Sequence, residues 1–347
     1  MLYNAYELQR TMLSGAAAWA SVGAELLTNP SLPMGYMGLG PYMASALDVF
    51  AHAAAPRGKP AFDIESVEVD GTLHAVTESI VLHRPFGNLL RFERAGLPKD
   101  APRLLVAAPM SGHYATLLRG TVARMLESCV VYITDWADAK MVPESEGRFD
   151  LDDYIDYIIT FLQELGDPVA RKGANVLAVC QPCVPVLAAV AIMAGDDDPC
   201  QPRTMTLMGG PIDVRESPTL VNELATTNSY DWFAANMIQT VPWRHRGAGR
   251  RVYPGFLQLT AFMSMNMGRH IDQFRKLYQA LADEDTAAVT KIESFYDEYF
   301  AVLDLTEEFY LETIDKVFQR ALLAKGELTF RGEPVDCGAI RKTALLT

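Results

Sequence analysis

The 347-residue chain predicts an α/β protein built on a mostly parallel sheet flanked by helices. The main observation is a repeated grammar of apolar run, turn and helix-period stretch. It occurs in RLLVAAPMSGHYATLLRGTVARML (residues 103–126), in CVVYITDWADAK with DLDDYIDYIITFLQELG (129–140 and 150–166), and in ANVLAVCQPCVPVLAAVAIMA (174–194). A fourth apolar run, RTMTLMGGPIDV (203–214), adds another strand. The runs are continuously apolar rather than alternating, which marks strands covered on both faces, and their alternation with helices marks parallel pairing.

Around that core the elements follow in order. Residues 1–55 read as helical, with apolar residues at helical spacing from Leu2 to Leu27, a Pro/Gly/Met segment over Pro30–Pro41, and a second short helix. From Phe62 the pattern changes to β-like runs, FDIESVEVD and ESIVLHRPFGNLLRFER. From Arg215 to Gly332 the strand–helix grammar stops. That stretch is rich in Met, Tyr, Phe and Trp, reads mostly helical, and has a turn-rich centre over Pro242–Pro254. A sheet-like run resumes at KTALLT, 342–347. The expected organisation is an N-terminal helical arm (1–61), the α/β core (62–214), a large helical cap insertion (215–332) and a return to the core (333–347), with the final strands absent.

Bulk properties narrow the function. Half of the residues are hydrophobic, enough for a large core. The net charge of −13 argues against general nucleic-acid affinity, although Arg244–Arg251 is locally basic. The opening residues lack the basic n-region of a secretory signal, and the longest apolar run, Val184–Ala194, is too short to span a bilayer and contains Pro185. Five scattered cysteines do not form a disulfide framework. The expectation is a soluble cytoplasmic protein with no transmembrane segment and no cofactor, and a homo-oligomer is left open.

The pair Cys180 and Cys183 admits four readings. A structural zinc site needs further close ligands, and Cys129, Cys200 and Cys337 stand alone, so no metal is expected. A redox dithiol fits the position between strand and helix, but such domains are much smaller. Plain burial is the ordinary fate of cysteine and is the preferred reading for Cys183. A nucleophile elbow, as in α/β-hydrolases, fits Cys180 best: a strand Val176–Val179, a sharp turn, a helix, and small neighbours at −2 (Ala178) and +2 (Pro182). Choosing Cys183 instead would place the bulky Gln181 at −2. The unpaired N–H groups of a helix start favour negative charge at the turn. The Gln181 N–H would be one oxyanion donor, and the turn in LLVAAPMSGHYA would supply a second from Met110 or Ser111. His113 on that turn is read as lining the site or capping a helix rather than as the base.

Taken together, NVLAVCQPCVPVLAA, LLVAAPMSGHYATLLR, VYITDWADAKMVP, RTMTLMGGPIDVRESPT, RRVYPGFLQ and FYDEYFAVLDLTEEFYLETI resemble the intracellular poly(3-hydroxybutyrate) depolymerases, over essentially the whole chain. The cytoplasmic polyhydroxyalkanoate synthases are more distantly similar, and their N-V-L-x-x-C elbow also aligns on Cys180. The resemblance implies an α/β-hydrolase fold with a cap and a thiol nucleophile. It implies attack on the esters of amorphous poly(3-hydroxybutyrate) granules in the cytoplasm, giving 3-hydroxybutyrate and oligomers, with polymer and granule surface as partners. It also implies that the position of Cys183 need not be cysteine. It places the triad's acid and histidine beyond TALLT, so that this chain lacks the family's C-terminal segment. None of His52, His74, His83, His113, His245 and His270 occupies the expected place. Asp213 and Asp135 could stand in as a displaced acid, but turn capping is the favoured reading for Asp213. Substrate-lining candidates are His113, Trp232, Trp243, Tyr253 and Phe256, and the helix Leu2–Leu27 either lies on the granule or packs on the body. Two other functions stay open: granule binding without turnover, and a dithiol oxidoreductase.

Overall fold

A computed structural model describes residues 2–29, 31, 40–216, 218 and 220–347. Most of the Pro30–Pro41 segment lies outside the described residues; Ser31, Gly40 and Pro41 are within them. By its contacts the chain forms two units, one of Met1–Pro60 with Phe256–Val302, the other of Ala61–Gly255 with Leu303–Thr347. These cuts differ from the boundaries at 214/215 and 332/333 that composition suggests, because residues 256–302 make their contacts with the N-terminal helices.

In chain order the elements are α1 (Leu2–Thr28), α2 (Gly40–Ala54), β1 (Ser66–Val69), β2 (Thr72–Arg84), β3 (Gly87–Arg94), β4 (Arg103–Ala107), α3 (Arg119–Met125), β5 (Val130–Trp136), α4 (Leu151–Leu165), β6 (Asn175–Val179), α5 (Cys183–Gly195) and β7 (Thr204–Met208). There follow α6 (Leu220–Thr227), α7 (Tyr230–Asn236), β8 (Gln239–Thr240), β9 (Arg251–Tyr253), α8 (Gly255–Met265), α9 (Met267–Ala282), α10 (Thr286–Phe300), β10 (Leu305–Thr306) and α11 (Glu307–Glu312). A π-helical stretch (Thr313–Gln319), α12 (Leu322–Lys325), β11 (Thr329–Phe330), β12 (Glu333–Pro334) and β13 (Ala344–Leu346) complete the order.

The larger unit is an eight-stranded sheet in the order β1-β2-β3-β5-β4-β6-β7-β13. Strands β4, β5, β6, β7 and β13 are parallel, while β1, β2 and β3 join antiparallel at one side. This is the mostly parallel, helix-flanked sheet of the α/β-hydrolase fold. Strand alternation divides the side chains between two layers. Leu104, Val106, Val131 and Ile133 face α3, whose Val122 is fully buried beside Leu126. The other face packs Trp136 at 4.4 Å from Tyr154 and near Phe161, both on α4. Helix α4 starts with a capping box between Asp150 and Asp153 and buries one apolar face. Helix α5 is apolar almost all round and is buried accordingly.

Within the same unit, the stretch read as turn-rich contains β9, which pairs with β8 just before that stretch and with β10 in a small antiparallel sheet. Strands of two or three residues are too short to leave an alternating pattern, so the sequence shows only their turns.

The smaller unit is helical. Helix α1 packs on α2, α2 on α9, and α9 on α10. Ala24, Leu27 and Ala44 form one buried cluster. Phe274 stacks on Tyr296 at 4.5 Å, and His270 is buried with Nδ1 3.0 Å from the Tyr296 hydroxyl. His52 and Arg57 both meet Asp297, and the Arg57 guanidinium lies over Phe300. Among the described residues, no helix is long and apolar enough to cross a membrane.

Candidate active site

Sheet order fixes where a site can form. The chain leaves β4 for β5 on one side, then crosses through α4 to β6 on the other side of β4. The loops after β4 and β6 therefore diverge, and in such sheets the crevice beyond the carboxyl ends of the strands at this switch point is where ligands bind. Met110, Ser111 and His113 follow β4; Cys180 and Gln181 follow β6.

Cys180 is the turn itself. Its φ of +66° lies in the left-handed region, which costs a non-glycine residue energy and persists only where the surroundings enforce it. Its N–H donates to Met208 O at 2.7 Å, tying it to the end of β7, and its carbonyl accepts from the Cys183 N–H at 3.1 Å. The side chain is exposed. A strained, exposed nucleophile-type residue between a buried strand and a helix is the geometry of a nucleophile elbow. Helix α5 proper starts only at Cys183, with Pro182 as its N-cap.

Three residues on, Cys183 is the opposite. It is fully buried, and its thiol lies 3.5 Å from Ala178 O and 3.8 Å from Met208 O. Burial pushes its pKa up to about 11, so it is a protonated thiol at neutral pH. Gly210, two residues past β7, closes this packing: a methyl there would overlap the Cys183 side chain and crowd the Cys180 carbonyl.

The loop after β4 is held rigidly. The Ala108 N–H donates to Thr134 Oγ1 at 2.9 Å, and its carbonyl accepts from Trp136 Nε1 (2.9 Å) and the Tyr154 hydroxyl (3.2 Å). Met110 is buried, and its N–H donates to Gln181 Oε1 at 3.1 Å. That bond joins the predicted oxyanion loop to the residue after the elbow. The Gln181 N–H itself meets no acceptor among the described residues. Farther along, Gly112 O accepts from Leu303 N–H at 2.8 Å, and the Tyr114 hydroxyl donates to Asp138 Oδ2 at 3.2 Å. Asp138 is buried, 2.6 Å from Lys140 Nζ, and its Oδ1 accepts from the Asp304 N–H at 3.0 Å. This polar anchor ties the loops after β4 and β5 to Asp304. It escaped the sequence reading, whose only trace of it is an aspartate two residues beyond the apolar run ending at Trp136. The Gly209–Gly210 pair at the end of a strand was the other available signal.

The remaining candidates are placed as follows. Ser111 adjoins Met110, and His113 is buried on the same loop. Tyr253 is buried and stacks on Tyr310 at 3.9 Å. Trp232 packs edge-on against Phe233, and Trp243 is 89% exposed. Phe256 lies in the helical unit, stacked on Tyr6 at 3.9 Å. Asp213 is engaged by Arg215, whose Nε and NH2 donate at 2.8 and 2.7 Å, and this pairing holds its carboxyl down to about 2. Asp135 is buried within β5. Among the described residues, no group of three or more His, Cys, Asp or Glu converges as a metal site.

The sheet and its flanking helices define the fold class, that of the α/β-hydrolases, with Cys180 on the turn after β6. Residues 209–347, under half of the chain, match the family model described as PHB de-polymerase C-terminus, and that stretch is similar to such proteins. The match starts immediately after β7, so the elbow and the loop after β4 lie outside it. No curated protein matches the chain. Among solved structures, the chain is similar to haloalkane dehalogenase DbeA of Bradyrhizobium elkani (16% identity over 40% of this chain and 42% of that one, TM-score 0.26). It is also similar to naproxen esterase of Bacillus subtilis (13%, 57% and 60%, 0.28) and to a putative lipase of Acinetobacter baumannii (12%, 78% and 83%, 0.32). The chain thus spans less than half of the dehalogenase and three-fifths of the esterase, and likenesses this low carry no argument about chemistry.

Proposed function

We propose that this protein hydrolyses the ester bonds of poly(3-hydroxybutyrate) held as amorphous cytoplasmic granules, with Cys180 as nucleophile. The observation that carries the reading is Cys180: an exposed thiol at φ +66° on the turn between β6 and α5. The match over residues 209–347 supports the polyester as substrate class. In the proposed reaction the Cys180 sulfur attacks an ester carbonyl, the C–O bond to the departing chain breaks, and that oxygen leaves as a hydroxyl carrying the proton that the thiol gives up. Water then cleaves the acyl-thioester and frees the thiol. The tetrahedral oxyanion is held between the Gln181 N–H and the Met110/Ser111 loop. The Ala108 bonds to Thr134, Trp136 and Tyr154 hold the backbone of the loop after β4 in place. In this reading Trp232 and Trp243 are contacts for the methyl-bearing chain.

The test is release of 3-hydroxybutyrate and its oligomers from amorphous polymer by the wild-type chain and by Cys180→Ala. Release by wild type, abolished by Cys180→Ala, is expected. Binding to the polymer without release would leave a granule-binding protein, and equal release by both would remove Cys180 from the chemistry.

A further inference from the structure

We infer that the Gln181 side chain is an internal occupant of the oxyanion site, a gate that a substrate carbonyl must displace before it can be polarised. This rests on the ester-hydrolase reading above and adds a specificity-determining side chain to it. A carboxamide oxygen is the nearest protein equivalent of an ester carbonyl oxygen, and Gln181 Oε1 accepts from the Met110 N–H at 3.1 Å. In the reading above that N–H is a candidate, beside that of Ser111, for the second oxyanion donor.

The loop cannot yield in its place. Ala108 is pinned by three bonds, the Met110 side chain is buried, and Gly112 is tied to Leu303. The Gln181 side chain, by contrast, is only half-buried. Its departure leaves the Gln181 N–H unchanged, so gate and second donor reside in one residue without conflict.

The consequence is discrimination. A neutral amide oxygen competes well with a ground-state ester oxygen, but a developing oxyanion makes a bond roughly twice as strong as either. The gate therefore opposes substrates that must open it with ground-state contacts alone. It yields to long chains whose remote contacts offset its displacement, since binding energy far from the reacting bond can drive such rearrangement. Short esters are disfavoured and polyester segments are not.

The experiment compares wild type with Gln181→Met, of similar length and without an acceptor, and Gln181→Glu, on p-nitrophenyl butyrate. Amide exchange at Met110 is read in parallel by NMR. Gln181→Met is expected to raise kcat/KM for the short ester about three- to tenfold, the value of one ordinary hydrogen bond, and to speed Met110 exchange. Gln181→Glu places a carboxylate in the site and should lower kcat/KM on the order of 100-fold. Faster Met110 exchange with unchanged or lower kcat/KM in Gln181→Met overturns the gate. Turnover missing from wild type and Gln181→Met alike removes the ester-hydrolase reading instead. Met110 exchange then still judges the contact, and exchange unaffected by Gln181→Met overturns it.

Discussion

Cys180 and Cys183 lie three residues apart, yet the elbow turn and the first turn of α5 are different environments. The first is exposed and strained. The second is sealed between Ala178, Met208 and Gly210, with its thiol held protonated. Identical side chains are sorted by backbone geometry alone: a left-handed residue at the end of a buried strand points outward, and one helical turn later the chain points inward. The contrast also bears on the dithiol alternative, because a thiol with a pKa of about 11 is a poor partner for exchange at neutral pH.

The contrast can be broken or sharpened by substitution. The largest effect belongs to Cys180→Ala, which should cut turnover of an activated ester by at least about 10³-fold, as loss of a nucleophile does. Cys183→Ala should leave the acylation step in place. Next comes the polar anchor. Asp138→Ala leaves Lys140 near a vacated buried site and should destabilise the fold by about 3 kcal/mol in urea unfolding, with slower acylation as the loop after β4 loosens. Gly210→Ala forces a methyl into Cys183 and should cost about 1–3 kcal/mol, a cost that Cys183→Ala in the same chain should partly relieve.

A pH series separates the thiols directly. The folded-state value of Cys183 is raised from the ordinary 9.0 to about 11, so between those values the folded chain binds more protons than the unfolded one. Stability from this group is present below pH 9 and is lost as pH rises toward 11, with a slope approaching about 1.4 kcal/mol per pH unit. Cys183→Ala should flatten that part of the stability curve. The smallest effect is expected at Asp213, already committed to Arg215: Asp213→Ala should leave acylation within about twofold, as for surface changes generally. A loss of several hundredfold would instead reveal a displaced catalytic acid.

Much of this was legible in the sequence. Continuous apolar runs gave β4 to β7, because strands buried on both faces cannot alternate. The turn at Cys180 was legible because the apolar run Val176–Val179 stops there and a helix-period stretch follows. What was not legible depends on contacts distant in sequence. The bond from Met110 to Gln181 spans the gap between two strands, and the Asp138–Asp304 tie joins residues that nothing local connects. Aromatic residues are ambiguous for a related reason. Tyr253, Trp243 and Phe256 look alike in a sequence window, but one is stacked in a core, one stands in solvent and one packs against the N-terminal helix.

The most direct measurement is a peptide map of the protein quenched in acid after brief mixing with p-nitrophenyl butyrate. The account predicts a butyryl mass on Cys180 and none on Cys183, with the label lost in Cys180→Ala. A butyryl group on Cys183, or turnover by an enzyme whose Cys180 never carries the label, would contradict it.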